Sequence, residues 1–438
     1  MNLSCFTRRL LALQPAQKII SRIIGITAPL RLQRLKKKLG SAERLNGQRA
    51  QLRALLSRRP VRVAFQVAHL GKWKCESVLQ LMMRNPQFEP SVWIVPAGGS
   101  RKCKAAQTFS QESAGIRAHF EGYGIPVADY PFIDAFPADK RPDIVFIHEP
   151  YDYIFGRESY KGLTETMLCH VPYCFHNTTD ALEFNGIGNN AALFNFYEND
   201  SISKLSASLA CNKGRNNAVS GCPLADVFMH EGKNTAPAWK DCGAQMKKVI
   251  WAPHWTITEE TCWFVSGTFL KNAEAMTELA EQYADRIQFA FKPHPHLYLQ
   301  LCKHPDWGKE KTDAFYRRWA EMPNTQLAEG DYVGLFMQSD AMVHDSGSFI
   351  LEYLFADKPA MFLREGAGYG DYNDMTLDAL KSYIKGLVKA DIEDFLQRCV
   401  LGTEDPLAAT RRVMREKYLL PPNGKTAAEN IVNSLKTA

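Results

Sequence analysis

Acidic side chains are nearly missing from the first sixty positions, where Glu43 stands alone against fourteen Lys and Arg for a local charge of +13. The whole chain of 438 residues carries +6, so the remaining 378 carry 6 − 13 = −7. A basic arm on a mildly acidic body is not the profile of a uniformly basic nucleic-acid binder. Aromatic rings that could stack on bases are scarce there too, with Phe6 the single example in the arm. No stretch approaches the roughly eighteen uninterrupted apolar residues of a spanning helix, so none is expected. The eleven cysteines are odd in number and contain no C-x-x-C pair. That argues against a disulfide framework or a zinc ribbon and for a reducing, cytosolic setting. The signatures G-x-x-x-x-G-K-[ST], G-x-G-x-x-G and G-x-S-x-G do not occur, which removes P-loop, dinucleotide and nucleophile-elbow readings. Asp-x-Asp is missing as well, so metal-clamped diphosphate chemistry has no support, and neither metal nor cofactor is expected.

What is present is an ordinary globular composition, 45% hydrophobic and 23% charged, with enough chain for two or three domains. In the arm, Ile19, Ile20, Ile23 and Ile24 form one helical stripe beside Lys18 and Arg22. Leu32, Leu35 and Leu39 repeat at helical spacing among Arg31, Arg34 and Lys36, Lys37 and Lys38. Such a basic amphipathic helix suits the interface of an anionic membrane. A cleaved presequence and a helix packed on its own body are the competing readings.

From residue 61 the pattern alternates. Strands are expected at 61–67, 91–95, 125–130, 143–147, 173–175, 193–197 and 217–220, with helices at 73–83, 105–123 and 158–169 between them. A polar stretch over 231–245 reads as a linker. A second alternating set follows, with strands at 249–252, 287–291, 324–327, 341–343 and 360–363 and helices at 270–284, 332–338 and 349–355; the tail from 377 reads as helical. The expected fold is α/β, with two Rossmann-like domains facing a central cleft as in the GT-B transferases. The corresponding division is a basic arm over 1–60, an N-terminal acceptor domain over 61–230, a nucleotide-donor domain over 246–390 and terminal helices over 391–438.

Four stretches could carry chemistry. The first runs from Ser339 to Glu352 as strand, small-residue turn and helix. Ser346, Gly347 and Ser348 there could offer N–H groups and hydroxyls to a phosphate, and Glu352 could accept from a ribose. The same residues also suit an ordinary N-cap. In the second, Lys292-Pro293-His294-Pro295, the prolines set the direction of His294 and Lys292 supplies positive charge. The third places His176 after an N-domain segment, across the expected cleft and close to Thr178, where it could act as an acid or base. The fourth, Ala252-Pro253-His254-Trp255, opens the second half.

The order of these pieces resembles the CDP-glycerol glycerophosphotransferases of teichoic acid and capsule synthesis. The matching residues are His176, Gly221-Cys222-Pro223-Leu224-Ala225-Asp226, Ala252-Pro253-His254-Trp255, Lys292-Pro293-His294-Pro295 and the run from Ser339 to Pro359. The resemblance implies a GT-B fold and attack of an acceptor hydroxyl on the β-phosphate of a CDP-glycerol or related CDP-alditol donor, with CMP leaving and no metal needed. It implies His176 as general base and His294 stabilising the pyrophosphate. Lys292, Ser346, Gly347 and Ser348 would hold phosphate, and Glu352 the ribose. The acceptor would be a polysaccharide or lipid-linked hydroxyl, with the protein peripheral on the cytoplasmic face of the membrane. Departures from the family pattern fall at Phe175-His176-Asn177-Thr178-Thr179, at His254-Trp255-Thr256 and at Asp345-Ser346-Gly347-Ser348. Thr178, His254 and Asp345 are therefore candidates for the donor or acceptor wall. A GT-B sugar transferase or epimerase using a UDP-sugar is the alternative.

Overall fold

The computed structural model describes residues 30–95, 106–130, 133–149, 166–230, 236–243, 245–257, 267–364, 372–402 and 404–438. Short, mostly apolar runs form its strands. Residues 144–147, 167–170, 194–197, 287–291, 341–344 and 360–363 are buried throughout, as strands covered on both faces must be. The first sheet holds β1 (Val61–Val67), β2 (Phe88–Ile94), β3 (Val127–Ala128), β4 (Ile144–Ile147), β5 (Met167–His170), β6 (Phe194–Tyr197) and β7 (Asn217–Val219). It is parallel, in the order β3-β2-β1-β4-β5-β6-β7. The second holds β8 (Lys247–Ala252), β9 (Ile287–Phe291), β10 (Thr325–Leu327), β11 (Ala341–His344), β12 (Ala360–Leu363) and β13 (Ile384–Gly386). It is also parallel, in the order β10-β9-β8-β11-β12-β13. Each sheet reverses its winding once, between β1 and β4 and between β8 and β11. Those are the two places where a doubly wound sheet opens a crevice at its strand ends.

Four sequence expectations need correction. A strand was expected at 173–175 and a helix at 158–169; instead 167–170 is β5, while 158–165 lie outside the described residues. Met167 to His170 pair in register with Ile144 to Ile147, and Pro172, lacking an N–H, cannot extend that ladder. Burial between two parallel neighbours overrides the local helical reading. The helix expected from Trp73 begins only at Glu76, after a 3₁₀ turn over Leu70–Lys72. The tail was expected to hold no strand, yet Ile384–Gly386 pairs with β12. Three half-exposed residues at a sheet edge are too few to show a period.

The two halves share one apolar core. Phe175, Phe184, Leu224 and Phe228 from the first pack with Phe336, Leu351, Phe355 and Met375 from the second. Phe228 and Phe355 stack at 4.9 Å between ring centres. The last helix, Ala427–Lys436, returns to the first domain, where the Asp226 carboxylate accepts from the N–H groups of Ala427 and Ala428 at 2.8 and 2.9 Å. Gly221 has φ +84° and its Cα faces Pro421, so an added Cβ would lie 2.6 Å from the proline side chain. Two residues of the Gly-x-Pro-x-x-Asp sequence thus fasten the C-terminal crossover.

The arm is helical over 30–39 and over Ala42–Leu56. Leu45 and Leu52 are fully buried, and Arg44 donates to the Ala191 carbonyl at 2.8 Å. Leu30, Leu32 and Leu35 are exposed. The isoleucine stripe at 19–24 lies outside the described residues. Among the described residues no helix is long and apolar enough to cross a membrane.

Candidate active site

His176 sits in the loop after β5, buried under Phe184 and Tyr197 at 4.8 and 5.4 Å between ring centres. Its partner is Glu198, the residue directly after β6. The Glu198 carboxylate accepts from the His176 backbone N–H at 2.7 Å and lies 3.0 and 3.2 Å from Nδ1. With Nδ1–H directed at a carboxylate, the neutral ring keeps Nε2 as its free basic nitrogen. Burial alone would lower the imidazole's pKa, but the Glu198 charge and hydrogen bond outweigh it, with help from the Glu183 charge, and the net shift is upward. Glu198 was not found from the sequence; an acid directly after the apolar run Phe194–Tyr197 was the available signal.

The second domain holds this loop in place. Asn373 Nδ2 donates to the His176 carbonyl at 2.8 Å, the Asn373 N–H donates to the Asn177 carbonyl at 3.1 Å, and Thr178 forms an antiparallel bridge with Tyr372. Opposite lies the turn after β11. A Cβ placed on Gly347 would be 3.1 Å from the Tyr372 hydroxyl and 3.3 Å from Asn177 Nδ2. Asn177, next to His176, therefore lies against the 346–348 turn. The helix behind that turn is short, Phe349–Glu352, followed by a 3₁₀ turn over Tyr353–Ala356. One turn supports little macrodipole, so any anion held here depends on the turn's own N–H groups and hydroxyls. Ser348 makes no side-chain capping bond and is exposed; Ser346 is buried.

Beside this turn, Asp345 is buried and both its oxygens are engaged. Oδ1 accepts from the His254 N–H at 2.5 Å, and Oδ2 accepts from the Thr268 N–H and, at 2.8 Å, from its hydroxyl. Burial pushes its pKa up to about 6, against those hydrogen bonds. Asp345 thereby ties the His254 loop to the turn. His254 packs against His294 at 5.1 Å between ring centres, and His294 against His296 at 5.3 Å. Burial, together with the neighbouring imidazoles and Lys292, takes His294 down to about 3, so the free ring is neutral. Its Nδ1 accepts from the His296 N–H at 3.1 Å, which leaves Nε2–H as a donor to an incoming phosphate oxygen. Burial likewise lowers His254 to about 4. Among the described residues no group of three or more His, Cys, Asp or Glu is arranged to hold a metal ion.

Lys292 and Glu352 form a separate cluster around Tyr332. The Lys292 ammonium donates to the Gly330 carbonyl at 3.1 Å and lies 5.8 Å from the centre of the Tyr332 ring. Lys74 of the first domain lies 5.2 Å from the same ring. Glu352 is buried and its Oε2 has no hydrogen-bond partner. Burial raises its pKa to about 7, although a hydrogen bond with Tyr332 and the charges of Lys74 and Lys292 pull the other way. Tyr332 and Lys74 were not identified from the sequence, because nothing local ties residue 74 to residue 332.

The model of the CDP-glycerol:poly(glycerophosphate) glycerophosphotransferase family matches residues 198–436, more than half of the chain. The chain belongs to this family. The match begins at Glu198 and takes in the His254, His294 and Asp345 loops and the crossover helix. As a glycerophosphotransferase-type transferase, the protein has the GT-B arrangement of two parallel α/β domains. It is similar to the wall teichoic acid polymerase TagF with a TM-score of 0.56 at 11% identity, covering 94% of this chain and 98% of that one. A UDP-GlcNAc 2-epimerase from Neisseria meningitidis, bound to UDP-GlcNAc, matches with a TM-score of 0.54 at 17% identity, covering 86% and 100%. No curated protein matches. At these identities the structural likenesses establish the fold alone, and the family assignment rests on the sequence match.

Proposed function

We propose that this transferase moves a glycerol-phosphate or similar alditol-phosphate unit from a CDP-linked donor to a hydroxyl of a cell-surface polysaccharide or lipid-linked acceptor. The acceptor oxygen bonds to the donor's β-phosphorus as the bond to the bridging oxygen breaks. The hydroxyl proton passes to His176 Nε2, and CMP leaves. The observation that carries this reading is the His176–Glu198 pair, a buried imidazole with an oriented basic nitrogen, in the loop whose Asn177 lies against the Gly347 turn. In this reading Lys292, His294 and the N–H groups and hydroxyls of Ser346, Gly347 and Ser348 hold the donor phosphates. Glu352 faces the ribose through its unpartnered Oε2, and Thr178 and His254 line the wall. The exposed Leu30, Leu32 and Leu35, interleaved with Arg31, Arg34, Lys37 and Lys38, rest on an anionic membrane at its cytoplasmic face.

Calorimetry with CMP, CDP, UMP and UDP, followed by CMP release from CDP-glycerol and CDP-ribitol, tests the proposal. Selective binding of cytidine nucleotides and CMP release that depends on His176 are expected. Selective binding of UDP would overturn the donor assignment and favour a UDP-sugar enzyme on the same fold.

A further inference from the structure

His254 and His294 meet edge to face where β8 and β9 end, beside the crevice at the β8/β11 reversal. Both are half-buried, and the two rings differ in what their Nδ1 atoms meet. Nδ1 of His294 faces the backbone N–H of His296 at 3.1 Å. A backbone N–H can only donate, so protonating that nitrogen would set two hydrogens against each other, and His294 stays neutral. Nδ1 of His254 instead lies 2.8 Å from the Thr256 hydroxyl. A hydroxyl donates to a bare nitrogen and, once rotated, accepts from a protonated one. His254 is therefore the imidazole of the pair whose hydrogen bond survives in either charge state. Among the described residues no hydrogen bond is made to Nε2 of either ring.

The surroundings withhold a counter-ion. The titratable groups packed around His254 are His294, His296 and Lys292 from the loop after β9 and Asp345 from the turn after β11. Asp345 is occupied elsewhere, with Oδ1 on the His254 backbone N–H and Oδ2 on Thr268, so its carboxylate does not bond to the imidazole. Burial and His296 accordingly hold the ring near 4 in the free protein, and it is neutral. Fixed positive charge is short as well. Lys292 is the one Lys or Arg among the described residues of the loops after β8 and β9, and its ammonium already donates to the Gly330 carbonyl. A diphosphate diester brings one negative charge on each phosphate, and the single helical turn behind Ser348 adds little.

We propose that His254 is a donor-phosphate ligand that takes up one proton from solvent as the nucleotide diphosphate docks, while His294 binds the same diphosphate as a neutral N–H donor. The imidazolium donates through Nε2–H to phosphate and through Nδ1–H to the Thr256 oxygen, and the phosphate is the counter-ion that the protein does not provide. The proton returns to solvent when the nucleotide leaves. The proposal rests on the transferase reading and adds to it the group that balances the donor's second charge.

The experiment is calorimetry on the full chain with CDP-glycerol and UDP-GlcNAc between about pH 6 and pH 8, each in two buffers of different ionisation heat. Neither probe carries a phosphate that titrates in this range, so the proton count reads the protein. About one proton should be taken up per nucleotide near pH 6, and affinity should fall by up to about tenfold per pH unit as pH rises through the pKa of the bound imidazole. His254→Gln should bind without uptake, about tenfold more weakly than the parent near pH 6 and within about twofold of it near pH 8. The tie to Asp345 runs through the His254 backbone, so this variant keeps it. Thr256→Val, which removes the acceptor for Nδ1–H, should move the pH limb downward, and His294→Gln should weaken binding at every pH while uptake persists. Binding of CDP-glycerol without uptake, or uptake that persists in His254→Gln, would overturn the proposal and leave the donor assignment standing. Proton-linked binding of UDP-GlcNAc alone would refute the donor assignment and support the role of His254. Binding of neither would refute both.

Discussion

Replacing Glu198 by Gln removes one charge from a site shut off from solvent. The Glu198 side chain is wholly buried, and its oxygens serve both the backbone N–H and Nδ1 of His176. An amide of the same shape can still accept from the backbone, but it no longer stabilises an imidazolium. Burial, the largest influence on His176, then acts with only the more distant Glu183 charge against it. Losing an opposite charge at this range lowers a pKa by about 1–3 units, or ~1.4–4 kcal/mol. In the proposed mechanism the same energy is lost when the ring takes the acceptor's proton, so kcat/KM should fall by about 10- to 10³-fold. The sign with pH is fixed by the upward shift. With His176 as the proposed base, activity of the parent should fall as pH drops through its raised pKa, and in Glu198→Gln that limb should move to lower pH beneath a reduced plateau. Stability supplies a second reading. The ion pair contributes fully below the unfolded imidazole pKa of about 6.5 and is lost as pH rises through the raised folded value. The melting temperature of the parent should therefore fall over that window, and that of Glu198→Gln should not. The assay is CMP release across pH 5–9, with CMP calorimetry confirming an intact donor domain. A plateau within about twofold of the parent, with the acidic limb unmoved, would refute the role given to this pair.

Other expectations follow from the same geometry. Asp345→Ala leaves the N–H groups of His254 and Thr268 without an acceptor, and should cost about 3–5 kcal/mol in urea unfolding; a loss below about 1 kcal/mol would show that the loop does not depend on this tie. Glu352, with its folded pKa raised to about 7, is protonated in the native state over a range where the unfolded carboxyl has ionised. Stability should therefore fall as pH rises from about 4.5 to about 7, and Glu352→Gln should abolish that fall and gain about 2–3 kcal/mol at pH 8; a parallel pH profile for the two proteins would contradict it. Leu32→Glu with Leu35→Glu should weaken sedimentation with anionic vesicles at least about tenfold, and moderate salt should weaken the parent as well. Equal binding to neutral vesicles would rule out the basic helix as the docking element.

The sequence by itself was enough for everything that depends on local period and chemistry. Alternating apolar runs located β1, β4, β6, β8, β9, β11 and β12, because strands covered on both faces need a largely apolar run. The Lys-Pro-His-Pro and Asp-Ser-Gly-Ser stretches announced themselves through rare combinations of rigid, charged and small residues, and their order pointed to the family that the sequence match established. Tertiary structure alone decided what depends on residues far apart in the chain. β5 was misread because its strand character comes from β4 and β6 on either side. Glu198 acquires its role from a histidine twenty-two positions earlier, and Tyr332 from Lys74 in the other domain. Gly221 and Asp226 belong to the motif order, yet what they do is visible only against Pro421 and the helix at Ala427. The physical reason is common to these cases. Periodicity reports which face of a segment is buried, whereas a pKa, an ion pair or a close backbone approach is set by whichever distant segment folding brings against that face.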